Sequence, residues 1–291
     1  MSAAPPVAPY RAADTLLPVT PALGVVLAVF LLVAAGVAAL AHLAPDRGHG
    51  YARSVLTAGA RAAVQLAAVS WVIGWVVGAV PTLLTFLVLM YAVATRTAGR
   101  RVTHNRTWWW AGLPIAAGVV PVVLALLLTG LVPLEGITLI PVTGILIGGA
   151  LTASTLAGRR ALDELRTRHG EVEAGLALGF PERDARMEIA RAAASGALIP
   201  VLDQTRTVGL VTLPGAFVGM LLGGASPVQA GAVQLFVLVA LLLVEVVAVA
   251  VALELIARGR LHRDAGEDGE ESGLRRAAGR PPEASRRLSG D

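Results

Sequence analysis

Apolar runs long enough to cross a lipid bilayer dominate this chain and leave room for little else. A hydrocarbon core of about 30 Å needs roughly 20 apolar residues in a helix. Pro21 to His42 is such a run, and others lie at Ser54 to Gly78, Pro81 to Thr95, Trp108 to Gly130, Gly136 to Ala157, Thr205 to Gly223 and Val228 to Ala257. Backbone polar groups in lipid must be satisfied within their own segment. The runs therefore predict an all-α, polytopic membrane helix bundle of about seven transmembrane helices. The third run is short and the second carries Arg61 and Gln65, so six spans is the alternative count. The first run exceeds a signal-peptide core and has no basic stretch directly ahead of it, so it is expected to be retained.

What the chain lacks narrows its chemistry. There is no cysteine, so disulfides, thiolate metal sites and cysteine nucleophiles are excluded. All 24 basic residues are arginine. A P-loop needs its lysine to reach the nucleotide phosphates, so an ATPase site of that kind is excluded too. The chain is expected to hold no cofactor, and any ATP–Mg belongs to a partner. The formal net charge of +4 reads as arginine collected in loops for topology rather than as nucleic-acid binding.

Arginine placement orients the bundle. Arg47 and Arg53 follow the first run, Arg96, Arg100, Arg101 and Arg106 the third, and many more the fifth and last. By the positive-inside rule these loops are cytoplasmic, which puts the N-terminus outside and the C-terminus inside a cell membrane. Trp108, Trp109 and Trp110 beside the third loop suit an interfacial aromatic belt. The longest loop, Gly158 to Ile199, mixes arginines with acidic residues, and Leu162, Leu165, Val172 and Leu176 recur in it at helical intervals. Gly179 followed by Pro181 marks one short amphipathic helix ending and another starting.

Two stretches go beyond a generic membrane protein: Glu171-Val-Glu-Ala-Gly-Leu-Ala-Leu-Gly179, and Ile199-Pro-Val-Leu-Asp-Gln-Thr-Arg-Thr-Val-Gly-Leu-Val-Thr-Leu-Pro-Gly-Ala-Phe-Val-Gly219. They resemble the FetB family, the permease half of an iron-export ABC transporter, which is similar to plant aluminium-tolerance membrane proteins. The likeness runs from about Leu23 to Ala257. It implies a transport subunit rather than an enzyme, a separate ABC ATPase as partner, and a homodimer of permeases. It also implies that Glu171, Glu173, Ala174, Leu176, Ala177, Leu178 and Gly179 form an ATPase-coupling helix. On composition alone, such a helix lying on lipid or against the bundle is an equal reading. The expected organisation is an extracytoplasmic segment (1–20), a permease domain (21–257) with its cytoplasmic coupling loop (158–199), and a disordered cytoplasmic tail (258–291).

Ionisable residues at membrane depth are costly and are functional candidates by default. Glu245 lies near the middle of the last run, whereas Glu254 sits close to Arg258 and reads as structural. Glu245 either serves transport or pairs with Arg61 or Arg206 to hold helices together. Arg61 and Gln65 are four apart on one helix face, and the family carries a similar pair. Asp203, Gln204 and Arg206 open the sixth run, lining a pathway mouth or, equally, capping and snorkelling. The histidines His42, His49, His104, His169 and His262 lie outside span interiors, so hard, oxygen-coordinated cations fit better than soft metals. Gly144, Gly148 and Gly149 read as helix contacts. A stand-alone channel or secondary carrier using Glu245 is the second reading, and a membrane enzyme the last.

Overall fold

The computed structural model describes residues 20–41, 50–76, 79–132 and 135–264. The expected external segment, apart from Thr20, and residues 265–291 of the tail lie outside these. Every regular element described is helical. The chain forms α1 (Pro21–Leu40), α2 (Gly50–Val76), α3 (Val80–Val102), a 3-10 turn (Arg106–Ala111), α4 (Gly112–Leu128), α5 (Gly136–Thr167), α6 (His169–Ala177), α7 (Glu182–Ser195), a second 3-10 turn (Gly196–Leu198), α8 (Ile199–Thr207), α9 (Gly215–Leu222) and α10 (Pro227–Ala257). Two compact units result, the described residues within 1–75 and 218–230, and those within 76–217 and 231–291.

In the smaller unit, Leu31 of α1 packs on Gly59 of α2, where a side chain would meet its methyl at 2.6 Å. Elsewhere Val25, Leu27, Phe30, Val64, Leu66 and Trp71 stand exposed. Exposed apolar faces of this size, on α1 all round and on α2 beside its Arg61 and Gln65, suit lipid, not water.

In the larger unit α4, α5 and α10 share a core in which Ile115, Leu146, Ala150, Val244 and Ala248 are fully buried. Glycines set how closely these helices approach. A Cβ on Gly118 of α4 would lie 2.6 Å from the Val244 carbonyl oxygen of α10. On Gly144 of α5 it would lie 3.1 Å from Met90 of α3, whereas Gly148 faces open space. Small residues at such contacts let backbones meet in lipid, where no hydrophobic force draws helices together.

Three boundaries differ from the sequence expectation. First, α3 does not stop at Thr95 but continues to Val102, so Arg96, Arg100 and Arg101 occupy its last turns, where cations complement the helix dipole. Second, α5 does not end at Ala157. It runs 32 residues, about 48 Å, well beyond the roughly 30 Å of a hydrocarbon core. Small residues continue its packing stripe through Ala153, Ala157 and Ala161, all buried. Third, the run Thr205 to Gly223 is no continuous helix. α8 ends at Thr207, and Gly209 takes φ 81° with its N–H donating to the Thr212 carbonyl at 2.9 Å. Pro214 then disfavours helical geometry at Leu213, and α9 spans only eight residues. Among the described residues six helices are long and apolar enough to cross a membrane, one fewer than the count of seven.

The tail also departs from expectation at its start. Gly259 (φ 67°) closes α10, with Arg260 N–H donating to the Leu255 carbonyl at 2.8 Å. Leu261 is then buried, and the His262 carbonyl accepts from Thr103 Oγ1 and Asn105 Nδ2, both at 2.9 Å. Arg263 donates to the Val102 carbonyl (2.8 Å) and to Asp163 (2.6 Å). Residues 258–264 thus strap α10 to α3 and α5, because one apolar anchor, the Val102 carbonyl at the end of α3, the Asp163 carboxylate and the side-chain donors of Thr103 and Asn105 hold them down.

Candidate functional site

The projecting end of α5 carries a two-helix elbow. Arg168 binds Glu171 in a bidentate ion pair and also reaches Glu164 at 3.4 Å, which fixes the corner between α5 and α6. The arginine holds the Glu171 carboxyl below the usual carboxylate range, and Glu171 in turn raises the guanidinium. Gly179 (φ 89°) and Pro181 reverse the chain, as their residue types predict. Val172 of α6 then packs on Ala185 and Ile189 of α7.

This packing sorts the coupling residues by direction. Leu176 lines a cavity of about 670 Å³ together with Leu162, Leu165 and Val172. Leu178 and Phe180 point out, 80% and 57% exposed. Glu173 reaches back to His169 (3.4 Å), and Ala174, Ala177 and Gly179 are exposed. Phe180, outside the motif as read from sequence, adds a second large apolar side chain to the protruding surface. Its place directly after the helix-ending glycine was the available signal.

The elbow is bolted to the last span. Arg183 of α7 donates to both carboxylate oxygens of Glu254 on α10, at 2.8 and 2.6 Å, and Arg258 adds a third bond at 2.6 Å. The two acids raise the Arg183 guanidinium further, Glu254 more than Asp184. Glu254 is structural, as its position beside Arg258 suggested, but its main partner lies on another helix. The tryptophans form a stacked surface over α3. Trp109 and Trp110 rings lie 4.2 Å apart, and Arg100 and Arg260 each sit 5.4 Å from an indole, over Trp108 and Trp110 respectively.

Further along α10, three turns from its charged end, lies Glu245. It is 8% exposed, and no hydrogen bond or ion pair reaches it among the described residues. Its Oε1 occupies the space opened by Gly149 of α5, 2.8 Å from where a Cβ would stand. Arg206, one expected partner, instead pairs with Asp203 at 3.7 Å on the exposed face of α8. Asp203 sits in the body of that helix and does not cap it; Leu198 holds the N-cap position. Gln204 is exposed beside them. Arg61 and Gln65, exposed on α2, belong to the smaller unit. The six pathway candidates therefore do not gather within the larger unit, and among the described residues none of the α8 group bonds to Glu245.

Residues 23–260 match the family described as Uncharacterised protein family (UPF0014). The chain belongs to that family. It is a multi-pass membrane protein of the UPF0014 family. Protein ALUMINUM SENSITIVE 3 of Arabidopsis thaliana is 37% identical over 166 residues, 57% of this chain and 58% of that protein. UPF0014 membrane protein STAR2 of Oryza sativa subsp. japonica is 35% identical over 193 residues, 65% and 67% of the two chains. The Escherichia coli (strain K12) protein named "Probable iron export permease protein FetB" is 27% identical over 188 residues, 64% and 73%. The match thus covers less than two thirds of the Arabidopsis protein. No solved structure matches the chain.

Proposed function

We propose that the chain is the membrane-spanning permease subunit of an ABC-type transporter, with ATP–Mg bound and hydrolysed on a separate subunit that docks on the α6–α7 elbow. The observation that carries this reading is the elbow itself. A protein with no partner gains nothing by holding Leu178 and Phe180 out in water on a rigid turn. A transporter must pass movement of its motor to its spans, and a surface helix fixed to two of them does so. Two permeases with two ATPases complete the assembly, with the C-terminus on the cytoplasmic side and the N-terminus outside, an orientation that takes the interrupted α8–α9 stretch as a seventh crossing beside the six long helices.

The solute is small and polar, and the name of the Escherichia coli relative points to iron export. The unpartnered carboxylate of Glu245 supports a path for a cation, and equally supports a stand-alone carrier. Copurification separates the two. A P-loop ATPase from the genomic neighbourhood is expected to copurify with the chain, and Leu178→Asp with Phe180→Asp to release it while the chain stays monodisperse. An ATPase that still binds the double variant, or external labelling of residues 158–199, refutes the docking surface. Absence of any ATPase favours the carrier.

A further inference from the structure

Within the larger unit, the three helices that share a core around Glu245 carry no other ionisable side chain along their apolar stretches. α4 carries none between Gly112 and Leu128, α5 none between Gly136 and Gly158, and α10 none between Val228 and Leu253 except Glu245 itself. The charged and titratable groups on these and the neighbouring elements are Tyr91, Arg96, Arg100 and Arg101 on α3, Arg159, Arg160, Asp163, Glu164 and Arg166 farther along α5, Asp203 and Arg206 on α8, and Glu254 on α10. None of them bonds to the Glu245 carboxylate among the described residues, and Glu254 and Arg206 are committed elsewhere. The carboxylate is not a packing accident. Gly149 leaves a space that any side chain would fill, and Leu241 Cδ1 and Glu245 Oε1 share it, the latter 2.8 Å from where a Cβ would stand.

An isolated charge held in such a place is expensive, and some cation must offset it during the working cycle. A metal ion needs several donors. Among the described residues no three His, Asp or Glu side chains come together to supply them. A proton needs one oxygen. We propose that Glu245, seated in the Gly149 socket, is a proton-carrying carboxyl whose state changes during transport: the carboxylate takes up one proton to become the neutral acid, and gives it back in another conformation. The transport role rests on the permease reading above. Proton occupancy does not, since it follows from the socket alone.

The test uses the full chain in lipid nanodiscs treated with dicyclohexylcarbodiimide, a lipid-soluble reagent that forms a stable N-acylurea only with a protonated carboxyl. Mass spectrometry should find the adduct on Glu245 and not on Glu254. The labelling rate should fall about tenfold per pH unit above a midpoint, and Glu245→Gln should abolish the adduct. Gly149→Ala, which keeps the carboxyl but fills its socket, should change the labelling rate at least about threefold, a readout that a carboxyl merely buried at random would not move. No adduct on the folded chain between pH 5 and 9, with ready labelling after denaturation, overturns the proposal. So does labelling that ignores pH, and so does protection by micromolar Mn²⁺ at fixed pH, which would make a metal ion the occupant. In proteoliposomes, transport by Glu245→Gln that keeps the wild-type pH dependence overturns the transport role. Failure to find an ATPase partner, with pH-dependent labelling intact, would instead remove the ABC reading and leave the proton site standing.

Discussion

Two glycines in neighbouring helices offer a measurement of how tightly the larger unit is packed. At Gly118 a methyl group would fall 2.6 Å from the backbone carbonyl oxygen of Val244, whereas at Gly148 nothing lies within 4 Å. Both sit inside helices, so the intrinsic gain of replacing glycine by alanine, up to about 1 kcal/mol, is common to both and cancels in the comparison. What remains is overpacking, about 1–3 kcal/mol when side chains can yield. A backbone oxygen cannot turn aside as a leucine methyl can, so the cost belongs at the upper end, about 3 kcal/mol. At about 2–4 °C per kcal/mol for a chain of this size, Gly118→Ala should melt about 6–12 °C below Gly148→Ala. Tryptophan fluorescence during thermal unfolding in detergent reads this directly. Equal melting temperatures would refute the close approach of α4 and α10, and with it the geometry that places Glu245.

Reversing Arg183 to Glu or Glu254 to Arg alone should lower the melting temperature and weaken any coupling of the elbow to α10, while the double reversal restores part of both; no recovery in the double variant would mean the pair is not the link. Leu261→Ala should cost about 2–4 kcal/mol, because it removes the buried anchor of the strap, and hydrogen exchange at residues 102–107 should rise with it. Glu171 titrates below its ordinary range because Arg168 binds its charged form, so the stabilisation is complete above the ordinary carboxylate range and is lost as pH falls through the depressed value. Amide exchange in α6 should therefore separate wild type from Arg168→Gln at neutral pH and converge in acid; a difference that persists in acid would show that the ion pair does not hold the corner.

Hydropathy finds α1, α4 and α10 because lipid-facing helices are apolar on every side, and it finds nothing else so easily. It cannot see that Gly209 and Pro214 interrupt an apolar run, since both residues pass as nonpolar in a window average while one takes left-handed geometry and the other lacks a donor. It also ends α5 where charges begin. The buried alanines at 153, 157 and 161 show that the stripe continued at four-residue spacing through those charges. The α6–α7 reversal was legible in Gly179 and Pro181, whose backbone requirements are local. The strap of residues 258–264 was not, because Leu261 is a single apolar residue and its value depends on partners far away in sequence, the Val102 carbonyl and the Thr103, Asn105 and Asp163 side chains. Glu245 was legible as a lone acid in an apolar run, but its nearest feature is a glycine 96 positions earlier, a pairing that no periodicity in one helix reveals. Gly144, Gly148 and Gly149 read alike in sequence, yet only the first and last meet a neighbour.

The unbroken length of α5 ties two places that would otherwise be mechanically independent. The stretch that bears the elbow and the stretch that bears Gly149 are one hydrogen-bonded rod, stiff in torsion compared with any loop. A twist of about 20° applied at its far end sweeps a surface at a radius of about 5 Å through roughly 2 Å, less than the roughly 5–6 Å between neighbouring side chains but enough to change the contact between Gly149 and the carboxyl on α10. In this protein a shaft, rather than a hinge, would carry force inward.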